Sequence, residues 1–339
     1  MKAVAQLAER ERRELFNETA SAMNITGAAA EKDFWLCWVL LHLFEDDDLS
    51  RWLRFKGGTS LSKCYGAIER FSEDIDLILD WNQLTQQDPA NTERSKNQQQ
   101  KLNVQVNEQA QGFIAETLLP RLVGLMGDIC TLTIDEHDPH TINITYPKAF
   151  DSEYLRPQVR LEIGPLAAML PMEPCTVKPY AAEQFPRVFK RPEVVVPTIS
   201  AARTFWEKLT ILHAEAHRPA DKPLPSRYAR HYYDVYKMVA KGLHTDALAK
   251  VGLLHDVVAF KQRFYPSGWA RYDLATLAAL RLLPAPAHKQ ALADDYQQMH
   301  EMLFGEKPGF TDILHTLEAL QADIHALGAT TAQPNQKDS

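Results

Sequence analysis

Two stretches decide the fold: Phe55-Lys56-Gly57-Gly58-Thr59-Ser60-Leu61 and Arg70-Phe71-Ser72-Glu73-Asp74-Ile75-Asp76-Leu77. Side chains alternate faces along a β-strand, so Asp74 and Asp76 point one way while Ile75, Leu77 and Leu79 point into the protein. Two parallel carboxylates repel unless a cation lies between them, and Mg²⁺ held by carboxylates and substrate phosphates is the usual solution. The Gly-Gly-Thr-Ser turn ahead of them lets backbone amides approach a phosphate closely, and hydroxyls follow at once. Alone, an Asp-x-Asp is usually a solvated strand end and a Gly-Gly is usually a turn. In this order and separation the two imply nucleotidyl or phosphoryl transfer. The stretch is not a Walker P-loop, since Ser62-Lys63 stand where the second Gly and the Lys would be.

Working outward, residues 3–24 and 30–46 read as helices, the second apolar almost all round and therefore buried. The Gly-Gly turn leads into a short helix to about Ile68, and residues 74–80 form a strand. Residues 82–108 are rich in Gln and Asn and read as a loop leading into a polar helix, which continues as a helix over 106–125. The alternating runs Cys130–Ile134 and Thr141–Tyr146, joined by Glu136-His137-Asp138-Pro139, give a β-hairpin. A further strand spans Gln158–Gly164, with Val159, Leu161 and Ile163 on one face and Arg160 and Glu162 on the other. If that strand lies beside the Asp-x-Asp strand, Glu162 becomes a third metal carboxylate; otherwise it is solvated.

Prolines 165, 171, 174, 179, 186, 192 and 197 predict an irregular connector. The pattern beyond is helical to about Leu327. The expected division is an N-terminal α/β domain over 1–180, a Pro-rich connector over 181–197, a C-terminal helical domain over 198–328 and a disordered tail over 329–339. In the helix from Ser200 to Ala216, Phe205, Leu209, Leu212 and Ala216 form the core stripe, and Lys208 falls within it. A Lys drawn to an apolar surface must snorkel or meet an anion. Asp234 flanks the stripe Tyr228, Tyr232, Val235 and Val239 of the next helix. Either Lys208 and Asp234 form a structural pair, or Lys208 holds a triphosphate and Asp234 orients it or the attacking hydroxyl.

Composition bounds the rest. The chain has 339 residues, 45% hydrophobic and 24% charged, with material for one large domain or two ordinary ones. The longest apolar run, Phe34 to Leu41, ends at His42 and is too short to span a bilayer. The amino-terminal stretch shows no apolar leader, and Cys37, Cys64, Cys130 and Cys175 have no C-x-x-C spacing. These features predict a cytoplasmic protein whose thiols pack in the core. A net charge of −7 argues against a general grip on DNA. One segment, 178–241, is basic, with twelve Lys/Arg against six Asp/Glu. It suits a solvated helical face, a triphosphate or the end of an RNA.

With these motifs in hand, the chain resembles the AbiEii/AbiGii toxin family of nucleotidyltransferases, which includes the mycobacterial MenT toxins and belongs to the DNA-polymerase-β-like superfamily. The resemblance runs from Glu31-Lys32-Asp33-Phe34-Trp35 to about Tyr236 and adds Glu207-Lys208-Leu209 and Arg230-His231-Tyr232-Tyr233-Asp234-Val235-Tyr236 to the two opening stretches. It implies a bilobed fold: a polymerase-β-like domain with a small mixed sheet, then an α-helical domain. It also implies a toxin–antitoxin or phage-defence role, a separately encoded antitoxin, an NTP substrate and, in some members, nucleotide addition to the acceptor end of tRNA. By resemblance, Lys56, Gly57, Gly58, Thr59 and Ser60 would hold phosphates, Ser72 would lie on the nucleotide side, and Asp74 and Asp76 would bind Mg²⁺. Glu162 would be the weakest ligand, and Lys208 and Asp234 would complete the site. Rival expectations are a transferase for a small molecule or protein, and a non-catalytic nucleotide- or antitoxin-binding protein.

Overall fold

The computed structural model describes residues 1–152 and 155–331. They fall into two compact units, one of residues 1–66 and 71–199, the other of residues 67–70 with those from Ser200 on.

The first unit is built on a seven-stranded mixed sheet. Its strands are β1 (Leu53–Lys56), β2 (Asp74–Leu79), β3 (Thr131–Ile134), β4 (Thr141–Thr145), β5 (Gln158–Gly164), β6 (Met172–Val177) and β7 (Val194–Ile199). The order across the sheet is β3-β4-β5-β2-β1-β7-β6. Strand β2 runs antiparallel to β1 and parallel to β5, with Asp76 opposite Lys56 on one side and Glu162 on the other. Ile75, Leu77, Leu79, Val159, Leu161 and Ile163 are buried in one continuous core, as the alternation predicts. The Gly27–Phe44 helix carries Phe34, Trp35, Trp38 and Leu40 into that core and is buried almost all round. Its first turn is capped by the Thr26 hydroxyl, which accepts the Ala29 amide at 3.2 Å.

Several expectations are corrected. The Pro-rich stretch is not an irregular connector: it supplies β6, a short Tyr180–Gln184 helix and β7, all within the first unit. Pro174 and Pro197 sit opposite one another in the β6–β7 ladder, and β6 is an edge strand, where a missing N–H is tolerated. The expected helix over 3–24 breaks into Lys2–Ala5 and Glu9–Met23, and the Glu11 carboxylate accepts the Ala8 amide at the second start. Much of the Gln/Asn-rich segment is helix from Lys96, opened by a Ser95/Gln98 capping box. Cys64 and Cys175, expected as free thiols, are joined as a disulfide with their Cα atoms 5.6 Å apart. Spacing could not show this, because sheet topology brings together residues 111 apart in sequence. Cys37 and Cys130 are free and buried, as expected of core thiols.

The second unit is helical: Ala201–Ala216, Ala229–Ala240, Leu243–Ala249, Gly252–Phe264, Lys289–Gln298 and Phe310–Thr331. The last helix runs past Gly328, so residues 329–331 are not tail; the remaining expected tail, 332–339, lies outside the described residues. Phe205, Leu209 and Leu212 are fully buried as predicted, as are Tyr232 and Val235, while Tyr228 and Val239 are half-buried. Residues 67–70 join this unit through Glu69, which receives Lys237 at 2.8 Å and Lys241 at 3.3 Å, and through Arg70.

Candidate active site

In the first unit, the end of β1 turns sharply into the Gly57–Lys63 helix. Gly57 has φ +83°, a conformation that costs any residue with a Cβ. A Cβ there would stand 1.9 Å from Asp76 Oδ2, so the Asp76 carboxylate lies directly against the Gly57 backbone. The glycine turn and the aspartate strand, separate motifs in the sequence, meet at this contact. Because Leu53 and Phe55 face the core, Arg54 and Lys56 share the opposite face of the sheet with Asp74 and Asp76. Among the described residues, no carboxylate lies within ion-pair distance of Lys56, which stands opposite Asp76 in the β1–β2 ladder.

The hydroxyls have other duties. Thr59 Oγ1 donates to the Asp74 carbonyl, and Ser60 Oγ donates to the Gly57 carbonyl at 2.9 Å; both residues are buried. They brace the turn and tie the helix to β2. Ser72 is half-buried in the segment just ahead of β2.

Asp74 lies opposite Arg160 and Asp76 opposite Glu162, all on the face away from the core. Burial raises the Asp74 carboxyl; Lys32 counteracts that, Glu73 and Asp76 add to it, and Arg160 opposes it. Arg160 Nε is 3.9 Å from Asp74 Oδ1, and its Nη atoms are 3.6 Å from Glu162 Oε1 and 3.6 Å from Asp135 Oδ2. Glu162 therefore shares the predicted face and register, with a guanidinium beside it. Among the described residues, no three His, Cys, Asp or Glu side chains converge as a closed metal cage. Mg²⁺ bound largely by substrate phosphates and water needs only one or two protein carboxylates, and Asp74 with Asp76 beside the open Gly57 backbone fits that chemistry.

Support comes from three consecutive charges buried in an otherwise apolar helix. Glu31 accepts the amides of Ala149 and Phe150 at 2.7 and 3.1 Å. Lys32 donates to Glu73 at 2.7 Å, next to Asp74. Asp33 receives Lys63 at 2.7 Å and the Tyr180 amide at 2.6 Å, and Lys63 also lies 3.7 Å from the Tyr180 ring centroid. Lys32 thus fixes the approach to β2, and Asp33 fixes the last turn of the glycine-led helix. Nothing in the motifs assigns these three residues a role. Their signal was charge where the helix should be apolar.

The Lys208–Asp234 pair exists within the second unit. Lys208 Nζ is 2.7 Å from Asp234 Oδ2, while Arg70 grips the same carboxylate with Nε at 2.7 Å and Nη2 at 2.9 Å. Asp234 is fully buried; burial opposes its charge, but Arg70 and Lys208 together hold its carboxyl well below the usual range. An anion so stabilised is a poor proton acceptor, and it ties Lys208 to Arg70. Arg70, the first residue of the Asp-x-Asp stretch, has a partner that its sequence position does not announce. Of the twelve cations in 178–241, several are likewise spent on neighbours, including Arg203 on Glu207 and Arg218 on Glu215.

A family model described as the nucleotidyl transferase AbiEii toxin, type IV toxin–antitoxin system, matches residues 38–320. The chain belongs to the AbiEii family. It is a nucleotidyltransferase of mixed α/β fold, with the NTP substrate and antitoxin partner that membership carries. The AbiEii chain is similar to JHP933 from Helicobacter pylori, at 13% identity and TM-score 0.43, covering 89% of this chain and 94% of that one. It is also similar to MenT4, a nucleotidyltransferase toxin from Mycobacterium tuberculosis H37Rv, at 18% identity and TM-score 0.41, covering 92% and 98%. No curated protein matches. Among the described residues, no helix is long and apolar enough to cross a membrane.

Proposed function

We propose that this AbiEii nucleotidyltransferase is Mg²⁺-dependent and transfers an NMP from an NTP to RNA, with the tRNA acceptor end as the target. It would act in the cytoplasm as a toxin, or in phage defence, against its antitoxin. The observation that carries the reading is the meeting of Gly57 and Asp76, which sets a backbone open to phosphate against the Asp-x-Asp strand.

Asp74 and Asp76 would hold the metal, with Glu162 the least committed ligand. When bound, Mg²⁺ would spread the negative charge that develops on the phosphates. The Gly57-Gly58 backbone and Lys56 would orient the triphosphate; Thr59 and Ser60 keep that backbone in place, and Ser72 lies just ahead of Asp74. The acceptor hydroxyl oxygen bonds to the α-phosphorus, the α–β bridging bond breaks, pyrophosphate leaves with the electron pair and the hydroxyl proton is released. Positioning and electrostatics would supply most of the acceleration. On the family pattern, Lys208 serves the phosphates and Asp234 anchors Lys208.

The test is to incubate the protein with each α-labelled NTP, Mg²⁺ and total RNA, then locate the label. Label at tRNA 3′ ends supports the reading. Label only on a small molecule or protein refutes the RNA target and leaves nucleotidyl transfer standing.

A further inference from the structure

Two arginines of this protein grip a carboxylate with two or more hydrogen bonds each. Arg70 grips Asp234 at 2.7 and 2.9 Å, and Arg121 grips Asp46 at 2.9–3.1 Å. Arg160 does not. It stands at 3.6–3.9 Å from three carboxylates and bonds closely to none of them, and its buried Nε has no hydrogen-bond acceptor among the described residues. The three come from separate places on one face: Asp74 on β2, Glu162 on β5 and Asp135 just after β3.

Asp135 differs from the other two. Asn143 donates to it at 3.0 Å, as do the backbone amides of His137 and Asp138 at 3.0 and 3.1 Å. Those bonds fix it independently of Arg160. The guanidinium therefore has one fixed anion, Asp135, on one side and Asp74 and Glu162 on the other.

We propose that Arg160 is a positioning residue: a resident counter-cation that holds Asp74 and Glu162 before metal arrives and competes with a divalent ion for them. Metal binding transfers Asp74 from Arg160 to the ion and leaves Arg160 with Asp135. The protein thereby keeps the carboxylate face ordered without metal and binds metal weakly until nucleotide phosphates add their charge. This inference rests on the assignment of Asp74 and Glu162 as metal ligands.

The experiment is direct titration of nucleotide-free protein with Mn²⁺, read by electron paramagnetic resonance, with melting temperatures measured with and without Mn²⁺. Arg160→Gln is expected to bind Mn²⁺ about tenfold more tightly or better, the effect of removing a unit charge about 5 Å from a divalent one even at the dielectric constant of water. It should melt lower than wild type without Mn²⁺ and regain the difference with it, and Arg160→Lys should bind as wild type does. Unchanged or weaker Mn²⁺ binding by Arg160→Gln, with a melting deficit that Mn²⁺ leaves in place, overturns the inference while wild-type binding upholds the metal site. Absence of Mn²⁺ binding in wild type and Arg160→Gln alike overturns both.

Discussion

Gly57→Ala separates the local architecture of the site from the stability of the fold. At φ +83° an alanine costs about 1–2 kcal/mol in backbone strain. Its methyl would start 1.9 Å from Asp76 Oδ2, against an ordinary contact of about 3.5 Å, so the carboxylate must retreat by roughly 1.5 Å. A misplacement of about 1 Å in a catalytic constellation can lower turnover on the order of a hundredfold. The strain itself lowers Tm only by about 2–4 °C per kcal/mol in a domain of this size. Label transfer and thermal melting on one preparation should therefore show a large loss of turnover beside a small loss of Tm. Turnover indistinguishable from wild type would refute the placement of Asp76 in the site, and a loss explained by general unfolding would refute the claim that the substitution acts locally.

Other outcomes follow from the buried ion pairs. Lys208→Met should leave Tm almost unchanged, since Arg70 still pairs Asp234, while slowing transfer by one to three orders of magnitude, about 1.4 kcal/mol for each tenfold. A destabilised variant with normal NTP kinetics would make Lys208 structural. Asp234→Asn should cost about 3–5 kcal/mol at neutral pH, because it leaves two buried cations unpaired. With its carboxyl held low in the fold, wild-type Asp234 contributes stability above the ordinary carboxylate pKa of about 4 and loses it as pH falls through the lower folded value. The variant's acid denaturation curve should be flatter there. Asp33→Asn should lower stability by about 3–5 kcal/mol by stranding Lys63, and the added change Lys63→Met should recover much of it.

The sequence carried the part of the fold that local alternation encodes. Strands β3 to β5 alternate apolar and polar residues and β2 does so over Asp74–Leu77, and the Asp76–Glu162 register follows once β5 lies beside β2. Strands β6 and β7 were hidden by Pro174 and Pro197, which are tolerated because they face one another at the sheet's edge. Strand β1 alternates as well, Leu-Arg-Phe-Lys, but it is wedged between a helix and the glycine turn, where no strand was expected. In the site, residue types within one motif were legible, but partners distant in sequence were not. Arg70 with Asp234, Lys32 with Glu73, Cys64 with Cys175 and Arg160 with Asp135 are joined only by tertiary structure. The two hydroxyls of the glycine turn also show how a motif misleads: their types suit phosphate, yet the nearest carbonyls claim them.

The most direct test of the central claim, that Asp74 and Asp76 beside the glycine turn hold the metal for nucleotidyl transfer, is a Mg²⁺ titration of label transfer from α-labelled NTP by wild type and Asp76→Asn. The account predicts transfer that rises with Mg²⁺ and is abolished by chelation in wild type. It also predicts no transfer at any Mg²⁺ concentration for Asp76→Asn, whose Tm equals or exceeds wild type because a like-charge repulsion is gone. Near-wild-type turnover by Asp76→Asn, with an unchanged Mg²⁺ dependence, would contradict it.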